Sequence, residues 1–180
     1  MKTDKIRICG GIVMELWDAY KADGTLAGFD LIRGERIPSN YFHLVCEAVS
    51  QHVDGEYLLM QRSFDKEIYP GMWEIGAGGS ALKGENKIEA VLREIKEETG
   101  IDSGNLKEIY HIVHEGNQSI YVGYLLITSC NKDSIQLQEK ETINYKWISK
   151  EKLIEFYDGN QFSTTSQKER LKDYVNSIRG

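Results

Sequence analysis

Residues 86–99, NKIEAVLREIKEET, run without proline or glycine from a glycine-rich stretch to Gly100, and no other segment narrows the possible folds as much. The spacing predicts a helix over 86–99, stopped by Gly100 at a C-cap position. At 100° per residue, Ile88, Val91, Leu92 and Ile95 gather on one side, the expected core stripe, while Glu94, Glu97 and Glu98 gather on another. An amphipathic helix of this kind needs an apolar surface to cover, and the flanking sequence supplies strands. Residues 12–20, 26–32, 42–52 and 57–61 read as extended, with Asp54-Gly55 as a hairpin turn between the last two. Further strands are expected at 73–75, 110–113, 119–128 and 144–148. Ser149 should cap a helix reaching Tyr157, and Thr164-Thr165-Ser166-Gln167 resembles a capping box. Gly76, Gly78 and Gly79 read as a tight turn or a close approach to a ligand. The segments 62–72 and 131–142 read as loops. This order of elements predicts an α/β fold, a mixed sheet with helices packed on its faces. A chain of 180 residues suits one domain over 1–180, with 1–35 as N-terminal strands and 164–178 as a C-terminal helix.

Charge and cysteine usage exclude several functions. With 28 acidic against 22 basic residues the net charge is −6, which disfavours a nucleic-acid polymer as partner. A small anion remains admissible, because a bound dication reverses the local field. Cys9, Cys46 and Cys130 are odd in number and far apart, which fits reduced thiols in a cytoplasmic protein better than a disulfide framework. The N-terminal apolar run is broken by Glu15 and Asp18 and reads as neither signal peptide nor anchor. No stretch approaches the length of a membrane span.

The charge pattern of the helix is unfavourable by itself. Glu94 and Glu98 are like charges at i, i+4, and Glu97 joins them, at a cost of roughly 0.2–0.5 kcal/mol per pair. Glu97 and Glu98 also lie near the helix C-terminus, where the dipole disfavours anions. Arg93 can relieve Glu97. Two readings remain open from the residues: a solvated acidic face, or a set of carboxylates gathered around a cation. A set made only of oxygens suits Mg²⁺ or Mn²⁺ rather than zinc.

Gly79, five residues, Glu85, seven residues, then Arg93-Glu94-Ile95-Lys96-Glu97-Glu98-Thr99-Gly100-Ile101 resemble, without a gap, the signature of the Nudix hydrolases. The resemblance covers about an eighth of the chain, and it implies an α/β/α sandwich with a mixed sheet. It implies metal coordination by Glu94, Glu97 and Glu98, assisted by Glu85 and a carbonyl near Gly78 or Gly79, with Arg93 orienting the carboxylates. The general base would be Glu97, Glu98 or a loop acid, Glu141 or less well Glu139, by position relative to Trp147. The implied activity is Mg²⁺-dependent hydrolysis of a diphosphate linkage in a nucleoside diphosphate derivative or another organic diphosphate. A homodimer is a family-based expectation.

Gln61-Arg62-Ser63, Lys66 and Pro70-Gly71-Met72-Trp73 also resemble a subset of the superfamily that includes isopentenyl diphosphate isomerase, which implies phosphate contacts from Arg62 and Lys66. That isomerase uses a cysteine shortly after the tryptophan. Here Trp73 is followed by Glu-Ile-Gly-Ala-Gly-Gly, and Cys46 would have to reach the pocket instead. An isoprenoid diphosphate isomerase and a catalytically silent binding module on the same fold are the alternatives. Tyr41, Phe42, Tyr69 and Met72 are candidates for an apolar lining.

Overall fold

The computed structural model describes residues 6–9, 12–159 and 165–180. In chain order it contains β1 (Ile6–Cys9), β2 (Ile12–Tyr20), β3 (Leu26–Ile32), β4 (His43–His52), β5 (Tyr57–Arg62), β6 (Trp73–Ile75) and β7 (Ala77–Ser80). There follow α1 (Lys87–Thr99), β8 (Asn105–His114), β9 (Ser119–Thr128), β10 (Thr142–Ile148), α2 (Lys150–Asp158), α3 (Thr165–Arg170) and α4 (Lys172–Arg179).

Strands β10, β5, β4, β9 and β8 lie side by side, β6 adds to β5 and β7 to β4, giving a seven-stranded sheet. Its β4–β9 pair is parallel and its other pairs are antiparallel. Alternation along the strands sends side chains to both faces. Leu58 and Met60 of β5, with Leu44, Cys46, Ile120, Val122 and Leu126, pack against Ala90, Val91 and Ile95 of α1. Tyr57 and Leu59 point the other way, with Val49 and Ile75, against Leu153 of α2 and Leu171, Tyr174 and Val175 at the C-terminus. The architecture is thus an α/β/α sandwich around a mixed sheet. Strands β1, β2 and β3 form a separate antiparallel sheet, joined to the large one by a Tyr20–Phe42 bridge.

Four expectations change. The buried row of α1 is Ala90, Val91, Ile95 and Thr99, while Ile88 and Leu92 are 40% and 41% exposed. The helix lies over β4 and β7 and is turned toward the glycines, so the acid side of the wheel is drawn inward and the stripe's edge is left in solvent. The expected glycine turn is instead a strand: only Gly76 has a left-handed backbone (φ 77°), and Gly78 and Gly79 pair with Glu47 and Cys46. Strand β8 is longer than 110–113 because an edge strand with one wet face carries Lys107 and Glu108, which hide its apolar period. The C-terminal helix is two segments, α3 and α4, parted at Leu171. The Thr164 end of the expected capping box lies outside the described residues. Among the described residues, no helix is long and apolar enough to cross a membrane.

Candidate active site

Helix α1 starts at Asn86, whose side chain accepts from the amides of Ile88 (2.9 Å) and Glu89 (3.0 Å). Glu89 accepts in return from the Asn86 amide (3.0 Å). This capping box was legible as Asn-x-x-Glu but is absent from the expectations above. The helix ends at Gly100 in the left-handed conformation (φ 75°), as predicted. Between these ends α1 closes on β7, and the glycines are what permit it. A Cβ on Gly79 would stand 2.5 Å from a Glu94 carboxylate oxygen, and one on Gly78 would stand 2.7 Å from the Cys46 carbonyl oxygen.

Arg93 organises the acids. Its Nε and Nη2 donate to the two oxygens of Glu85 (2.9 and 3.0 Å), and Nη2 also reaches the Ser80 carbonyl (3.1 Å). Its Nη1 donates to Glu94 (2.7 Å) and Glu97 (3.1 Å). Burial opposes the Arg93 charge, but Glu85 and Glu94 more than offset it and raise its pKa above the ordinary value. Glu85, 7% exposed, also accepts from the Leu82 amide (2.9 Å), so it stands behind Arg93 rather than lining the cleft.

The cleft in front holds about 350 Å³ and is lined by Glu94, Glu97, Glu98, Arg93 and the Gly76–Ser80 backbone on one side. Arg62, Lys66, Glu74 and Glu141 line it on the other. Glu98 accepts a hydrogen bond from the Gly78 amide, yet burial, reinforced by the charges of Glu74, Glu94 and Glu141, raises its carboxyl well above the usual range. Burial also raises Glu94 despite Arg93, and Glu74 despite Arg62. Of the two readings of the helix acids, a solvated face does not describe Glu94 and Glu98, which are partly buried; Glu97 stays exposed.

The other predicted residues are placed as follows. Glu141 is ion-paired with Lys66, and its carbonyl accepts from the Ser63 amide (2.8 Å). Arg62 donates to the Ile68 carbonyl (2.9 and 3.2 Å) and to Glu74 (3.2 Å). Glu139 is exposed and outside the cleft. Tyr41, Phe42, Tyr69 and Met72 do not line it either; Phe42 belongs to the core, and Tyr41 packs edge-on against Phe29. Cys46 is fully buried under α1, and burial pushes its thiol up to about 12.

Glu74, Glu47 and Arg170 are among the residues around the site that escaped the sequence reading. Glu74 was detectable by strand period, since Trp73 and Ile75 flank it on the opposite face. Glu47 was detectable as a lone acid in an apolar strand. It pairs with Gly78 in register, and Arg170 of α3 grips both its oxygens (2.8 and 2.6 Å) while Tyr110 donates its hydroxyl to it. Arg170 carried no local signal, because its partner lies 123 positions away.

Among the described residues, no three acidic, histidine or cysteine side chains already surround a common point at which a metal ion would sit. Arg93 bridges Glu94 and Glu97 through its Nη1. The chemistry of the donor set nevertheless fits a hard dication: the ligands are all oxygen, and the crowding around Glu98 is relieved by positive charge.

Comparison with known proteins agrees with this geometry. The sequence profile of the NUDIX domain matches residues 47–167. An uncharacterised Nudix hydrolase of Listeria innocua is 32% identical over 151 residues, 83% of this chain and 88% of that one. The nucleoside triphosphatase NudI of Escherichia coli is 32% identical over 130 residues, 65% of this chain and 87% of that one. The crystal structure of DR0079 from Deinococcus radiodurans superposes with a TM-score of 0.67 at 18% identity, covering 92% of this chain and 98% of that one, a likeness of fold.

Proposed function

The chain belongs to the Nudix hydrolase family, and from that premise we propose that it splits a diphosphate linkage in a nucleoside diphosphate derivative, with Mg²⁺ as cofactor. The observation that carries the reading is the convergence of Glu94, Glu97 and Glu98 with Lys66 and Glu141 on one cleft. Similarity to a nucleoside triphosphatase supports a nucleoside-containing substrate. The burial of Cys46 away from the cleft supports hydrolysis over isomerisation.

In this reading Glu94, Glu97 and Glu98 hold the cation, with Mn²⁺ an alternative to Mg²⁺. When bound, it supplies charge neutralisation on the diphosphate and an acidified water. Arg93 keeps Glu94 and Glu97 aimed into the cleft, and Glu85 and the Ser80 carbonyl keep Arg93 in place. Lys66 faces the phosphates, and Arg62, held by Glu74 and the Ile68 carbonyl, adds positive charge beside it. Glu141 or one of the helix acids takes the proton of the attacking water.

The test is a panel of nucleoside diphosphates and triphosphates, nucleotide sugars, dinucleoside polyphosphates and isoprenoid diphosphates, each assayed with Mg²⁺ and with a chelator. Phosphate or nucleotide release that requires Mg²⁺ is expected. Glu97→Gln and Glu98→Gln should each lower turnover by about 100-fold or more. Unchanged turnover in both variants defeats the assignment.

A further inference from the structure

Four cations line the cleft: Arg33, Arg62, Lys66 and Arg93. They differ in what already holds them. Arg93 is shared among three carboxylates and a carbonyl, and Arg62 spends its fork on Glu74 and the Ile68 carbonyl. Arg33 sits at the rim, 62% exposed, where solvent screens its pair with Glu15. Lys66 is different, for its side chain is 25% exposed and its ammonium pairs with one carboxylate, that of Glu141. Glu141 is 42% exposed and adds its charge to those crowding Glu98.

The backbone around this pair is tied down. The Arg62 amide donates to the Met72 carbonyl (2.9 Å), Gln61 to the Gly71 carbonyl (2.9 Å), and the Ser63 amide to the Glu141 carbonyl (2.8 Å). Lys140, just before Glu141, has a left-handed backbone (φ 67°). The Ser63–Glu141 backbone bond thus joins the two loops independently of the ion pair. Exchange of the Lys66 partner needs only rotation about side-chain bonds.

We infer that the Lys66–Glu141 ion pair is an exchangeable counter-ion contact: an incoming diphosphate takes Lys66 from Glu141, so that Glu141 competes with substrate for the same ammonium. The inference rests on the diphosphate reading of this cleft. A diphosphate carries more charge than one carboxylate and offers oxygens in several directions, so it wins the ammonium without movement of the loop. The released Glu141 carboxylate then faces the cleft without its counter-ion, where a proton acceptor is useful only after substrate has arrived. Glu141 in this role sets affinity for the diphosphate, in the opposite sense to Lys66.

Calorimetric titration of the full chain with methylenediphosphonate and Mg²⁺ tests this on four proteins: wild type, Glu141→Gln, Lys66→Met and the double variant. Glu141→Gln should tighten binding by about fivefold, the worth of a partly exposed ion pair, and Lys66→Met should weaken it by at least as much. In the double variant the gain should vanish and the affinity should equal that of Lys66→Met. Equal or weaker binding by Glu141→Gln overturns the exchange while leaving the diphosphate reading standing. A gain that persists without Lys66 also overturns it, because the effect would then be a general loss of negative charge. No binding by wild type or any variant overturns both readings.

Discussion

Glycines 76 and 79 stand three positions apart and restrict the chain for different reasons. A Cβ on Gly79 meets the far end of the Glu94 side chain, which can move, whereas a Cβ on Gly76 meets the Ala48 carbonyl oxygen at 1.7 Å on a backbone with φ 77°. Gly79→Ala should therefore displace Glu94 and lower turnover while the melting temperature stays nearly unchanged. Gly76→Ala should destabilise the fold by about 3 kcal/mol from left-handed strain and a backbone clash. Thermal melts beside turnover assays check the pair, and equal melting losses in both would show that Gly79 serves packing rather than the placement of Glu94. The need for small residues here was legible in the sequence. Which glycine faces a carboxylate and which faces a carbonyl was not, since the answer depends on register with β4.

At the scale of the element, α1 shows how far a helical wheel carries. The wheel located the acids, and its apolar stripe was right for Val91 and Ile95 but wrong for Ile88 and Leu92. Ile95→Ala should cost about 3 kcal/mol in urea unfolding, the cost of a core truncation, whereas Leu92→Ala should cost under about 1 kcal/mol. Equal costs would return Leu92 to the core. The reason for the rotation is the close approach of α1 to β7, which draws Glu94 and Glu98 inward. Burial then raises both carboxyls, an effect that the spacing of the acids alone does not imply.

For the whole molecule, the small N-terminal sheet and the large sheet are joined where the Trp17 ring stacks on His43, with centroids 4.4 Å apart and planes at 17°. The His43 nitrogens meet Ser80 Oγ (3.2 Å) and Ser119 Oγ (2.7 Å), tying β4 to β7 and β9. Burial lowers the imidazole from 6.5 to about 4. Between those values the unfolded chain binds a proton that the folded chain does not. Stability contributed at this site is therefore complete above pH 6.5 and falls as the pH drops toward 4, by about 3 kcal/mol in all. Urea unfolding at pH 7 and pH 4.5 should show a loss in wild type that is smaller in His43→Gln, and an equal loss would mean that other groups carry the acid sensitivity.

The sequence by itself determined the helix at 86–99 and its Gly100 stop, most of the strands though not β1 or β7, and the carboxylates with their Nudix spacing. These follow from local rules, since hydrogen-bonding periods and caps act over a few residues. Only the tertiary structure decided that Glu85 stands behind Arg93, that Glu98 is crowded by Glu74 and Glu141, and that Glu47 is held by Arg170. It also decided that Lys66 and Glu141, 75 positions apart, neutralise each other at one wall of the cleft. Burial and the choice of a charged partner depend on which distant segments are brought together, and no local period encodes that.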